Sequence, residues 1–227
     1  GRQQPYGSTD GNSQLTLALL NNDAPPSQTG QTISYTAYDD GDAQHGRQGV
    51  AWPQPRFTDN GNGTITDKLT GLMWLKKADS GKMCFTTEAD SRVTWNEALT
   101  HIRECNTLQV NNGPIGVAGF QDWRLPSVRE INSLIHYGQA QTIGQSLFTS
   151  PFLETDVRHF SPTDMYWSST SNAEDTLTAW AFHLFLGSQT AANKTDSSFY
   201  VWPVRNANPS VVTTTNELAP VPQSGQK

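Results

Sequence analysis

The chain has 227 residues, enough to bury a substantial core, and only 16% of them are charged against 35% hydrophobic. Its net charge of −6, with no basic stripe to neutralise phosphates, excludes a nucleic-acid partner. No apolar run approaches the length of a membrane span, so the chain is not expected to be membrane-spanning.

Residues 1–50 are rich in Gly, Ser, Thr, Asn, Gln and Pro and read as an extended N-terminal arm. One apolar run, Leu15 to Leu20, has the character of an added strand. No signal-peptide pattern opens the chain, which fits a mature form or one whose leader has been removed. Within the arm, Asp39, Asp40 and Asp42 offer three carboxylates in four residues. Calcium takes six to eight oxygen ligands, so this loop is a candidate calcium site.

Residues 51–206 hold most of the aromatics and form the predicted domain. Arg56 to Trp74 reads as a three-stranded meander. Asn60-Gly61-Asn62-Gly63 supplies the positive-φ positions of a tight turn, and Lys68-Leu69-Thr70-Gly71 supplies a second. Asp59, Asn62 and Asp67 make the first turn a second candidate calcium loop, although it lacks the bidentate Glu of an EF-hand.

Two helices follow. Thr94 and Glu97 form a capping box, with Trp95, Ala98, Leu99, Ile102 and Cys105 on one face. Ser127 and Glu130 form another behind Pro126, with Val128, Ile131, Leu134 and Ile135 as the apolar face and Gly138 as the stop. Cys84 and Cys105 would close a loop of about 20 residues as a disulfide, stabilising by roughly 3 kcal/mol. Two buried thiols are the alternative. Strands are predicted at Met165 to Thr170, Ala179 to Leu186 and Phe199 to Arg205, with turn-rich loops at 171–178 and 187–198. Pro203 places the last strand at an edge or a bulge. Residues 207–227 carry three prolines and read as a Pro/Thr-rich C-terminal tail. The order gives an α+β plan, two helices beside a mainly antiparallel sheet.

Five segments in this order, TGQTISYTAYDDGD, GVAWPQPRFTDNGNGTITDKLTGLMW, GFQDWRLPSVREINSLI, YWSST and YVWPVR, resemble the bacterial Lcl C-terminal domain family. The resemblance spans residues 31 to 205. It implies a C-type-lectin-like fold, a secreted or cell-surface location, and adhesion to glycan or protein ligands without catalysis. Relatives commonly carry a cysteine in the final strand. This chain has none there, so a disulfide must use Cys84 and Cys105.

Trp74, Trp123 and Trp167 read more simply as core plugs than as ligand platforms, and Arg124 as a tie to carbonyls or an acidic partner. His183, flanked by Phe182 and Leu184, reads as a structural histidine. The candidate ligand-binding residues are the polar side chains of the late loops, Asn172, Glu174, Asp175, Gln189, Asn193, Lys194 and Asp196. The lectin triplets Glu-Pro-Asn and Gln-Pro-Asp are absent from the sequence.

No G-x-S-x-G, H-E-x-x-H or phosphate-binding glycine loop is present, and the pair Glu154 and Asp156 reads as surface. The expected function is therefore an extracellular binding module. The competing expectation is a homo-oligomer or structural subunit of a bacterial surface assembly, joined through its two arms.

Overall fold

The computed structural model describes residues 26–76, 92–109, 112–138, 165–183 and 186–207. The run Leu15–Leu20, Cys84, the pair Glu154 and Asp156, and residues 208–227 of the tail lie outside the described residues.

The first meander forms as its turns dictate. β1 (Phe57–Asp59), β2 (Thr64–Asp67) and β3 (Leu72–Leu75) are consecutive antiparallel strands. Gly61, Gly63 and Gly71, with φ of 74°, 83° and 68°, take the left-handed turn positions that side chains disfavour. β4 (Tyr166–Ser171), β5 (Thr178–His183) and β6 (Ser188–Asn193) form a second antiparallel sheet in the order β4-β5-β6. β7 (Val204–Asn206) joins the far side of β3, giving the first sheet the order β1-β2-β3-β7.

Two sequence expectations are corrected here. The last predicted strand is split. Phe199 and Tyr200 bridge to Val93 and Tyr166 in the second sheet's neighbourhood, and the chain then crosses to β7. Pro203 has no N–H to continue a ladder, and the break falls at it. The segment 187–198, read as a loop, contains β6. Its sequence Ser-Gln-Thr-Ala-Ala-Asn has no apolar alternation, so only pairing with β5 makes it a strand.

Both helices begin at the expected caps. α1 (Trp95–Thr107) has Thr94 as N-cap and α2 (Val128–Asn132) has Ser127, each with the reciprocal Glu bond of a capping box. α2 is far shorter than its apolar spacing suggests. Leu134 and Ile135 donate to the carbonyls of Ile131 and Asn132, three residues back, so the chain tightens instead of continuing the helix. Arg56 Nη2 takes the Ser133 carbonyl at 2.9 Å, satisfying one of the helix-end acceptors.

The pleat sorts the core into two halves. Leu72, Trp74, Tyr200, Trp202 and Val204 pack with the apolar face of α2. Their alternating neighbours Met73, Leu75, Phe199 and Val201 pack with Ala98, Ile102 and Cys105 of α1. The strands are thus buried on both faces, with one helix to each. This is an α+β plan, as expected. Cys105 is completely buried and is not a free thiol.

Candidate functional site

The first candidate region is the end of the second sheet where β4 turns into β5 and β6 runs out. Asn193 pairs with Thr178 there, which brings the 172–178 turn beside residues 193–198. The predicted ligand residues do gather, but they build the turns. Asn172 Oδ1 accepts the Glu174 N–H, and Asp175 Oδ1 accepts the Leu177 N–H. Asn193 Oδ1 accepts from the N–H and hydroxyl of Thr195, and Asp196 Oδ1 from Ser198. Each is a side chain bonding the backbone two residues on, the ordinary role of Asn and Asp in turns. Lys194 donates to Ser171 Oγ at 2.8 Å and the Thr176 carbonyl at 2.9 Å, and its ammonium lies 4.5 Å from the Trp95 ring centre. It ties the two loops together. Glu174 is exposed beside them.

The acidic loops behave alike. Asp67 is fully buried, and Oδ1 accepts from Arg56 Nε and the Leu69 N–H while Oδ2 accepts from Arg56 Nη2 and the Thr70 hydroxyl. A carboxylate has about four acceptor positions, and all four are filled. Asp67 is therefore removed from any calcium set. Asp59 binds Lys76 Nζ and the Gly61 N–H, with Lys76 foremost in holding its carboxyl below the usual range. Asn62 Oδ1 accepts the Thr64 N–H and hydroxyl.

In the N-terminal segment, residues 26–50 close into a loop, with Ser27 bridged to Val50 and Trp52 Nε1 donating to the Gln28 carbonyl. Asp39 Oδ2 accepts the N–H groups of Tyr35 and Thr36, and the Tyr35 bond is the main cause of its lowered pKa. Asp42 takes the N–H groups of Tyr38 and Gln44, and these hold its carboxyl down to about 2. Asp40 accepts from the Thr29 hydroxyl. Among the described residues, no three His, Cys, Asp or Glu side chains converge as a metal set.

The residues read as structural lie where expected. Trp74 and Trp167 are fully buried and Trp123 is nearly so. The indoles of Trp123 and Trp167 donate to the carbonyls of Val117 and Val93. Arg124 forks onto both oxygens of Glu130, the α2 capping residue. His183 is buried, with Nδ1 accepting the Leu186 N–H.

At the opposite end of the β5–β6 hairpin lies a groove of about 550 Å³. One wall is α2 and its exit, with Val128, Arg129, Asn132 and Tyr137. The other is the sheet, with Thr170, Trp180, Phe182, Ser188 and Gln189. Trp180 and Phe182 point to this face because they alternate with Ala179 and Ala181, which pack towards α1. Arg129 and Asn132 sit three apart on the outer face of α2, so they share a side of that helix.

The groove's polar groups are largely unengaged. Tyr137 donates to Asn132 Oδ1 at 3.1 Å, and the Thr170 hydroxyl oxygen accepts the Val128 N–H at 3.2 Å. Among the described residues, the guanidinium of Arg129, the indole N–H of Trp180, the amide nitrogen of Asn132 and the carboxamide of Gln189 have no protein partner. The lining contains no carboxylate. Such a site offers donors around an aromatic wall and has nothing that holds a metal or attacks a carbon.

Of the seven late-loop candidates, Gln189 alone lines the groove. It does so from β6, not from a loop. Sequence reading missed Arg129, Trp180 and Tyr137. The available signal was the alternation in Ala-Trp-Ala-Phe, which puts two aromatics on one face and two alanines on the other.

An α+β domain with a polar, aromatic-walled groove belongs to the class of ligand-binding modules by form alone. The family model of the Lcl C-terminal domain matches residues 63–205, well over half of the chain, and the chain belongs to that family. No curated protein matches it. Among the described residues no helix is long and apolar enough to cross a membrane.

Proposed function

We propose that this chain is a non-catalytic, secreted or surface-exposed binding module with a C-type-lectin-like fold, and that the α2–β5–β6 groove holds its ligand. The observation that carries the reading is the set of four unengaged polar groups around Trp180. A polar donor without a partner gains most when a ligand supplies the acceptor. A sugar ring presents an apolar face for an indole and a rim of hydroxyls for amides and guanidinium. A glycan fits this chemistry better than an extended peptide, which would need a free strand edge or a deep apolar pocket. With no carboxylate in the lining, binding does not depend on calcium.

The test is a glycan array followed by titration of the best hits, read by tryptophan fluorescence in the presence of chelator. Binding that survives chelator and disappears in Trp180→Ala supports the reading. An array with no hit, or hits whose affinity Trp180→Ala leaves unchanged, overturns it.

A further inference from the structure

The two sheets treat their outer edges differently. β1, the edge of the first sheet, is three residues long and ends at Asp59, whose carboxylate Lys76 Nζ holds at 2.7 Å. Brevity and charge are standard ways to keep an edge from pairing with another chain. β6, the edge of the second sheet, has neither. It runs for six residues in unbroken register with β5, five of the six are exposed, and it contains no charge, proline or bulge. No strand among the described residues covers its outer side.

We propose that β6 is a homodimerisation edge, at which two copies of the chain pair antiparallel across a two-fold axis to form one six-stranded sheet. Charge selects this occupant. A chain of net charge −6 repels its own copy over much of its surface, but nothing on β6 does so. The pleat then limits the register. Gln189 and Ala191 lie opposite Phe182 and Trp180 on the groove face, whereas Thr190 and Ala192 lie opposite Ala181 and Ala179 on the other. A two-fold axis normal to the sheet keeps each face on its own side, so opposed residues must share a face.

Two registers satisfy this. In one, Ala191 faces the partner's Ala191 and Gln189 faces the partner's Asn193. In the other, Thr190 faces the partner's Thr190 and Gln189 faces the partner's Ala191. Neither opposes like charges. Both put the two grooves on the same face of the joined sheet, since Gln189 lines each. The dimer would then present two sites to one surface, a geometry that turns weak single-site binding into avidity. The pairing itself does not depend on what the groove binds. A seam of this length buries less than the roughly 1,000 Å² typical of a stable interface, so the dimer dissociates on dilution.

Sedimentation velocity across a concentration series tests this on the full chain. The expected result is a shift from one chain to two as concentration rises. Ala191→Lys and Ala191→Glu are each expected to stay monomeric, because in either register residues 191 of the two copies are opposite or diagonal neighbours. Mixing the two variants is expected to restore the dimer. Circular dichroism checks that both variants fold, since Ala191 is exposed. A monomer at every concentration overturns the proposal, as does a dimer that neither variant weakens. A monomer whose β6 amides exchange slowly also overturns it, by showing that the chain's own residues cover the edge.

Discussion

The β5–β6 hairpin has two ends, and they use the same kinds of side chain in opposite ways. At the 172–178 end, Asn, Asp and Lys side chains bond the chain itself: Asn172, Asp175, Asn193 and Asp196 each fold a turn, and Lys194 ties two loops. At the groove end, Arg129, Asn132 and Gln189 carry polar groups with no partner in the described chain. The difference shows why a cluster of polar residues in a loop is a poor guide to binding. Short side chains near the backbone find a backbone partner first. Longer ones projecting from a helix or strand, whose backbone is already paired, are left over.

That contrast can be broken or sharpened by substitution. The largest effect is expected for the most fully engaged group. Asp67→Ala leaves Arg56 buried without its partner and should cost about 3–5 kcal/mol in chemical denaturation. A loss below about 1 kcal/mol would show that the pair is not structural. Lys194→Ala should cost about 2 kcal/mol and leave glycan affinity unchanged, because its bonds are internal. If affinity falls instead, the turn end is a site after all. Arg129→Ala should do the reverse, weakening the ligand about tenfold with stability held within about 0.5 kcal/mol. Asp175→Ala should cost less than about 1 kcal/mol, measured by the same melt, since a single exposed turn bond is removed.

The smallest effect is on pH dependence. The Asp42 carboxyl is held at about 2 by the Tyr38 and Gln44 N–H groups, below its ordinary 3.8. A depressed carboxyl contributes stability that is present above the unfolded value and lost as pH falls through the folded one. Amide exchange at Tyr38 and Gln44 should therefore quicken between about pH 4 and pH 2. Exchange that stays flat across that window would mean these bonds do not hold the loop.

The sequence made the local features legible and left the long-range ones hidden. Both capping boxes and the Asn-Gly turn depend on residues within four positions of each other, and all three formed as read. β6 was hidden because its strand character comes from pairing with β5 and not from its own composition. The truncation of α2 was hidden because Leu134 and Ile135 are buried whether the backbone is helical or tighter. The groove was hidden for a related reason. Arg129, Tyr137, Trp180 and Gln189 come from separate elements, and only the packing of α2 on the second sheet brings them together.

The broken strand at 199–206 has one more consequence. Its first half is held by Val93 and Tyr166, and its second half is the outermost strand beside β3. Eight consecutive residues are thus a shared hinge pin for both sheets, with Trp202 donating to the Leu75 carbonyl at the crossing. Neither sheet can melt while the other keeps this segment in place. Heating should therefore produce a single calorimetric transition for the described core, with calorimetric and van't Hoff enthalpies in agreement.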